Sequence, residues 1–268
     1  MGGTAQQHPS LITLLTDFGS QDGYVGVVKG VILGINPRAT LVDLSHDLPP
    51  QDVIAAALVL QAAQPYFPPE TIHLAVVDPG VGTARRALAL RVRDQFWVGP
   101  DNGLFHLVLE GQRGFQAVCL ENSAYFLPQV SATFHGRDVF APVAAHLSTG
   151  VSLSEFGPPL TDPVRLHLPV PAISSQFLRG EVIHVDHFGN LISNIRFSEL
   201  EIWRQGRSLE VLVGGHHRVR LVRTYGSGAP GELIALEGSY GYLEIACVQG
   251  NAAQLLGGGR QLSIAVMA

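Results

Sequence analysis

Two carboxylates stand where predicted strands end, and an arginine follows one of them at short spacing. The apolar run Leu74–Val77 stops at Asp78, a Pro-Gly turn follows, and Arg85 comes seven residues after the carboxylate. Asp17 ends an earlier apolar run in the same way. Because ligands of open α/β sheets bind at the carboxyl ends of strands, Asp17 and Asp78 are expected to line one crevice. The alternative for each is a turn or helix-cap residue.

A histidine precedes a predicted helix in the segment ATFHGRDVFAP. From this position His135 is expected to point its imidazole into the same crevice, and imidazole changes its charge near neutral pH. The alternative is an ordinary surface histidine in a loop. Asp138, inside the first turn, is expected to serve the N-terminus of the helix.

A second group of candidate residues surrounds a predicted hairpin turn in VDHFGNLISN. Here Phe188 could stack on a planar ring, and the Asn190 amide could both donate and accept hydrogen bonds at the edge of that ring. Asp186 lies in the same turn. The alternative is a structural turn, in which Asn and Asp are common.

Several well-known catalytic and binding motifs are missing from the sequence. The glycines after Asp78 do not form a P-loop, and no dinucleotide-binding G-x-G-x-x-G follows the first strand. There is no H-E-x-x-H or C-x-x-C pattern, so we expect no metal, and no G-x-S-x-G turn of a serine hydrolase.

Composition narrows the class of protein further. The chain has 268 residues, of which 46% are hydrophobic and 15% charged, and a net charge of −5. The charge argues against nucleic-acid binding, because no basic stripe is present to neutralise phosphates. With no long apolar run and no signal-like N-terminus, we expect a cytoplasmic protein without a membrane span. Cys119 and Cys247 are expected to be buried thiols.

The element pattern predicts two domains. Over residues 1–160 strands and helices alternate, which indicates a mostly parallel α/β sandwich domain with helices on both faces. One of these helices is expected to begin at the prolines near residue 50. A proline-rich linker at about 157–176 leads into residues 177–268, where short strands and tight turns predict an all-β, barrel-like domain with a helix only at 251–256.

Five ordered segments together resemble one enzyme family. They are TDFGSQDGYVGVVKG, VVDPGVGTARR, FHGRD, VDHFGNLISN and GSYGYLEIA. The sequence resembles the S-adenosylmethionine hydrolases (adenosine-forming), also called hydroxide adenosyltransferases, which are related to the fluorinase and chlorinase enzymes. The resemblance implies an α/β domain, a C-terminal β-barrel, and a homotrimer that holds its ligand between domains of adjacent subunits. It also implies cleavage of S-adenosylmethionine by water into adenosine and methionine, without a cofactor.

The resemblance also assigns roles to residues. It implies that Asp78, Arg85 and His135 handle the attacking water. The positions that it implies for substrate contacts are Asp17 at the ribose hydroxyls, Asp186 near the methionine amine, Asp22 near the amino-acid end, Phe188 and Asn190 at the adenine, and Ser239 at the methionine carboxylate.

Two other functions stay open at this stage. Halide-using relatives carry a different group where Asp78 stands, so the presence of Asp78, Arg85 and His135 favours water over a halide as nucleophile. A halogenase would form 5′-halo-adenosine. A non-catalytic S-adenosylmethionine or adenosine sensor would bind tightly without turnover.

Overall fold

The structure, a computed structural model, describes residues 10–112 and 114–268. These residues form two compact units, one ending at Leu166 and one beginning at His167. The first is an α/β unit built on one sheet, and the second is a β-barrel, so the predicted fold class is confirmed.

The sheet of the first unit has six strands in the order β2-β1-β3-β5-β4-β6. Strands β2, β1, β3 and β5 run parallel, and β4 is antiparallel to β5 and β6. The strand bounds are Leu11–Thr16 (β1), Thr40–Ser45 (β2), Ile72–Val76 (β3), Ala87–Val92 (β4), Gln95–Pro100 (β5) and Gln116–Cys119 (β6). The parallel strands place their carboxyl ends, and therefore the residues that follow them, at one edge.

Helices cover both faces of this sheet. On one face Ile12 and Leu14 pack in a cluster with Ile32 of α1 and Val143 of α4. On the other face Leu15 packs in a cluster with α2 and α3 residues. Burial on both faces explains why these strands are continuously apolar rather than alternating. The helix bounds are Tyr24–Ile35 (α1), Val53–Ala63 (α2), His106–Leu109 (α3) and Ala141–Ser148 (α4), and a π-helical turn, Gly136–Phe140, runs directly into α4.

The start of α2 differs from the prediction. The helix begins at Val53 and not at the prolines, because the Asp52 side chain accepts a hydrogen bond from Ala55 N at 3.0 Å and caps the helix there. Just before it, Gln51 has a left-handed backbone with φ of 65°. Pro142 lies at the start of α4, and the Asp138 carbonyl four residues before it accepts a hydrogen bond from Leu127 N at 2.9 Å in place of the N–H that proline lacks.

The second unit is a closed barrel with one additional short strand. Its strands follow the order β14-β10-β11-β12-β13-β9-β8-β7, and a further pairing of β14 with β8 closes the ring. The strand bounds are Ala172–Ile173 (β7), Phe177–Val185 (β8), Leu191–Arg196 (β9), Glu210–Val213 (β10), His217–Leu221 (β11), Leu233–Glu237 (β12), Tyr242–Cys247 (β13) and Ser263–Met267 (β14).

Two further expectations need correction. The barrel carries a helix at Phe197–Arg204 (α5) in addition to Ala252–Leu256 (α6), because Leu200 is buried from it in the barrel core and Phe197 and Trp203 pack against the same cluster. Cys247 is buried, but Cys119 is only half-buried because it lies at the end of the edge strand β6. No helix among the described residues is both long and apolar enough to cross a membrane.

Candidate active site

The loop after β3 returns the chain to Asp78. Thr83 Oγ1 donates to the Gly80 carbonyl at 2.6 Å, and Arg85 N donates back to Thr83 Oγ1 at 3.3 Å. Gly82 has φ of 76°, and a Cβ there would lie 2.4 Å from the Ala132 carbonyl oxygen, so only glycine fits. This turn explains the seven-residue spacing, because it folds Arg85 back onto the carboxylate at the strand end.

Arg85 joins the two other candidate residues. Its Nε donates to Asp78 Oδ1 at 2.8 Å, and its Nη2 contacts both Asp78 Oδ2 and, at 2.9 Å, His135 Nδ1. Because a guanidinium only donates, His135 Nδ1 must accept, and a neutral imidazole therefore carries its proton on Nε2. Three side chains that are distant in sequence thus form one hydrogen-bonded unit.

The charge of this unit favours a neutral imidazole. Burial, and then the positive charge of Arg85, lower the pKa of His135, while Asp78 and Asp138 oppose the shift. The side chains of Asp78 and Arg85 are only 6% and 10% exposed, so their attraction is weakly screened. A neutral His135 therefore keeps its Nε2–H available as a donor at the cavity, while its Nδ1 accepts from Arg85.

His135 directly precedes the π-helical turn, in agreement with its predicted place before a helix. Gly136 packs closely there, since a Cβ would lie 3.2 Å from the Phe18 ring. Asp138 was expected to serve the helix N-terminus, but its Oδ2 accepts from Ser131 N at 2.8 Å and its carboxylate pairs with Arg137. These bonds fix the chain on both sides of His135.

A cavity of about 300 Å³ opens beside this unit. Asp17, Asp78 and His135 all line it, whereas Arg85 lies behind them and is not part of its wall. Asp17 Oδ2 accepts a hydrogen bond from Gln51 N at 2.7 Å. The structure therefore brings Asp17 and Asp78 into one crevice, as predicted, and it adds His135. Arg85 holds Asp78 and His135 from behind.

Three aromatic residues beside the cavity were not among the candidates predicted from the sequence. Phe18, Tyr24 and Phe134 pack edge-to-face with ring centres 5.4 to 6.1 Å apart. They line, with Arg137, a second hollow of about 460 Å³ that shares Phe18 and Phe134 with the first. The sequence could have indicated two of them, because Phe18 directly follows Asp17 and Phe134 directly precedes His135. Asp22 is exposed, and it lines neither of these two cavities.

In the second unit, Asp186, Phe188 and Asn190 share one turn. Asp186 Oδ1 accepts from the backbone N–H groups of Phe188 and Asn190 at 2.9 and 2.8 Å, and Oδ2 accepts from the Asn190 amide at 3.0 Å. Gly189 in this turn has φ of 82° and abuts the Asn251 side chain, so no larger residue fits there. Asp186 thus builds the turn, which leaves the Phe188 ring 72% exposed.

Ser239 lies exposed in the turn between β12 and β13. Near that turn lies a buried carboxylate that was not among the candidates predicted from the sequence. Glu244 is 2% exposed and accepts a hydrogen bond from the Tyr225 hydroxyl at 2.6 Å. Burial raises the pKa of Glu244, and the nearby charge of Asp186 acts in the same direction. A carboxylate within the apolar run GYLEIACV was the available signal.

Comparison with known proteins decides the family. Residues 12–157 match the model of the SAM hydroxide adenosyltransferase N-terminal domain, and residues 180–264 match that of the C-terminal domain. The chain belongs to the SAM hydroxide adenosyltransferase family. Each family domain falls within one of the two compact units.

Individual relatives agree with this family assignment. The (R)-S-adenosyl-L-methionine hydrolase of Salinispora tropica is 45% identical over 249 residues, which cover 92% of this chain and 93% of that protein. A fluorinase of Actinoplanes sp. is more distant, at 31% identity with 88% and 90% covered. The crystal structure of an uncharacterized conserved protein from Thermotoga maritima superposes with a TM-score of 0.89 at 38% identity, covering 96% of this chain and all of that one.

Proposed function

We propose that the protein hydrolyses S-adenosyl-L-methionine to adenosine and L-methionine. One observation carries the proposal: the Arg85 guanidinium bridges Asp78 and His135 at the wall of a cavity that Asp17 also lines. The 45% identity to the hydrolase of S. tropica supports the same substrate.

The reaction joins a water oxygen to the ribose C5′ and breaks the bond from C5′ to sulfur. The sulfonium leaves as a neutral thioether, so the leaving group requires neither an acid nor a metal, and the proposal includes no cofactor. The site must hold a water in line with the C–S bond and take up its proton. Asp78 and His135 both face the cavity, where the carboxylate is placed to take up the proton and the Nε2–H of His135 to orient the water.

The charge balance of the unit suits a cationic substrate. An unpaired Arg85 beside a sulfonium would repel it, whereas the ion pair with Asp78 nearly cancels the charge and keeps the hydrogen-bond donors. The lowered pKa of His135 leaves its imidazole free of charge as well. Where the bound substrate displaces water from the cavity, dispersal of the sulfonium charge in the transition state is favoured.

The remaining contacts are proposed on the family resemblance. Asp17 holds the ribose hydroxyls. Substrate groups beyond the ribose are assigned to the residues of the second unit and to one exposed residue of the first: Phe188 and Asn190 at the adenine, Asp186 and Asp22 near the amino-acid end, and Ser239 at the carboxylate. A cytoplasmic homotrimer, in which neighbouring subunits complete each site, belongs to the same proposal, and light scattering after size-exclusion chromatography measures the subunit number.

Product analysis tests this function. Purified protein is incubated with S-adenosylmethionine in halide-free buffer, and the nucleoside and amino acid are separated by chromatography. We expect adenosine and methionine in equal amounts, and His135→Ala is expected to lose turnover while it still binds adenosine. Formation of 5′-chloro- or 5′-fluoro-adenosine on addition of halide would identify a halogenase. Tight binding without any product over hours would identify a sensor.

A further inference from the structure

A chain of polar side chains lies behind Asp17, outside the cavity. Thr16 Oγ1 is 2.8 Å from His46 Nδ1, and the far nitrogen of His46, Nε2, is 3.0 Å from Asp43 Oδ1. Asp43 Oδ2 in turn accepts from Lys29 Nζ at 2.6 Å. Although partial burial opposes ionisation, the hydrogen bond from Lys29 and the nearby His46 lower the pKa of Asp43. The chain thus runs from a charged pair at the surface to the last residue of β1.

This hydroxyl, imidazole and carboxylate have the composition of a nucleophilic triad, but they cannot act as one. Thr16 is 1% exposed and lines neither cavity of this unit. Its oxygen also accepts from Phe18 N at 3.3 Å, so its hydroxyl hydrogen is directed to His46 Nδ1. The arrangement therefore fixes the backbone on both sides of Asp17.

Two more hydrogen bonds from residues 46–51 hold the turn that contains Asp17. The His46 carbonyl accepts from Gly19 N at 2.8 Å, and Gln51 N donates to Asp17 Oδ2 at 2.7 Å. Gln51 makes that bond from a left-handed backbone, which a glutamine adopts only when its surroundings impose it. Residues 46–51 thus hold the Asp17 turn at two places: the His46 imidazole bonds to Thr16, and the backbone N–H of Gln51 bonds to the Asp17 carboxylate.

We propose that His46 is a positioning residue that acts through Thr16 to aim the Asp17 carboxylate at the vicinal hydroxyls of a bound ribose. This inference rests on the proposed function for the identity of the ligand. Its consequence is specific: loss of the Thr16–His46 bond weakens the recognition of the ribose hydroxyls and spares contacts made elsewhere on the nucleoside.

The strand β1 offers a matched control. Thr13 Oγ1 lies 2.8 Å from His73 Nδ1, so it forms the same bond from the same strand, and both threonines are buried. His73 stacks on Trp97, and neither Thr13 nor His73 lines the cavity beside Asp17. Thr13→Val and Thr16→Val each remove one buried hydroxyl at nearly constant volume, so both are expected to lower thermal stability.

Calorimetry with adenosine and 2′,3′-dideoxyadenosine separates positioning from stability. In Thr16→Val the preference for adenosine over the dideoxy compound is expected to fall about tenfold, the usual worth of a hydrogen bond to a charged group. In Thr13→Val the preference is expected to stay as in the wild type. His46→Asn, which keeps an acceptor near the Nδ1 position, is expected to retain most of the preference, and His46→Leu to lose it.

The outcome depends on the ratio of the two affinities and not on turnover. An equal loss for both nucleosides in Thr16→Val, or the same change in Thr13→Val, would overturn the inference. An effect of Thr16→Val that persists in an Asp17→Asn background would also overturn it, as would a wild type that binds both compounds equally. Absence of S-adenosylmethionine turnover in a wild type that shows the expected ratios would count against the proposed hydrolysis alone.

Discussion

Arg85 and Arg86 are adjacent in sequence, and each pairs with an aspartate that follows a parallel strand. Arg85 Nε binds Asp78 after β3 at 2.8 Å, and Arg86 Nε binds Asp101 after β5 at 2.7 Å. Both aspartate side chains are buried, at 6% and 1% exposure. The sequence offers no reason to separate the two pairs.

Their surroundings differ. Arg85 also contacts the His135 imidazole, next to the cavity. Arg86 instead donates its remaining hydrogen bonds to Asp162, from Nη1 to the carboxylate at 2.9 Å and from Nη2 to the backbone carbonyl at 2.7 Å. Asp101 Oδ1 also accepts from Val164 N at 2.8 Å. The second pair therefore ties the segment 162–164 to the sheet. The comparison teaches that the neighbours of an ion pair, and not the pair itself, decide whether it can do chemistry.

The largest expected difference between the pairs is in turnover. Asp78→Asn keeps an oxygen for Arg85 but loses the carboxylate that faces the cavity, so we expect kcat to fall by about 10²–10⁴. Adenosine affinity is expected to stay within about threefold, because the residues proposed to contact the ribose and the adenine are other ones. Steady-state kinetics and calorimetry measure the two quantities. A variant with wild-type kcat would remove Asp78 from the chemistry.

The opposite signature is expected for Asp101→Asn. This change weakens a pair that is buried on the aspartate side, so we expect a loss of about 2 kcal/mol in the free energy of unfolding. We keep the figure below that of a fully buried pair because Arg86 is 34% exposed and solvent screens it. Denaturant titration measures the loss, and kcat is expected to change less than about threefold. A fall in kcat as large as that of Asp78→Asn would erase the distinction between the pairs.

Replacing each arginine by lysine sharpens the comparison. Lysine keeps the charge but lacks the planar fork that lets Arg85 contact Asp78 and His135 together, so Arg85→Lys is expected to lower kcat about tenfold. Arg86→Lys is expected to change the unfolding free energy by about 1 kcal/mol and to leave kcat near the wild-type value. Equal kinetic effects of both substitutions would contradict the account.

The smallest difference is expected in the titration of His135. Because burial and Arg85 lower its pKa, the imidazole stays neutral to lower pH, and the acid limb of kcat/KM is expected below the ordinary value of about 6.5. Turnover falls as the pH drops through that limb, since an imidazolium cannot accept the Arg85 hydrogen bond at Nδ1 and adds a positive charge beside the cationic substrate. In Arg85→Gln the NMR titration midpoint of His135 is expected at higher pH than in the wild type. In Arg86→Gln the titration midpoint of His135 is expected to be unchanged. An equal shift in Arg86→Gln would show that any loss of positive charge nearby has this effect, and not the contact with Arg85.

Much of this arrangement was predictable from local patterns. Apolar runs that end in Asp17 and Asp78 predicted the shared crevice, because parallel strands end at one edge. Alternation of strands and helices predicted helices on both faces. These features depend on short stretches of chain whose residue types decide the outcome.

The features that were missed depend either on contacts between distant segments or on local backbone geometry that the residue types do not specify. Asp162, which lies 76 residues after Arg86, separates the second ion pair from the first, and its position cannot be deduced from spacing. The π-helical turn after His135 has the same residue types as an α-helix. Asp186 uses both of its oxygens within its own turn, which its neighbours in sequence do not reveal.

Turnover in oxygen-18 water tests most directly the central claim that a water attacks the ribose C5′. We predict that mass spectrometry of the products will find one labelled oxygen in the 5′-hydroxyl of adenosine and none in methionine. Release of methylthioadenosine with label in homoserine, or of adenosine without label, would contradict the account, because the attacked carbon or the nucleophile would then be a different one.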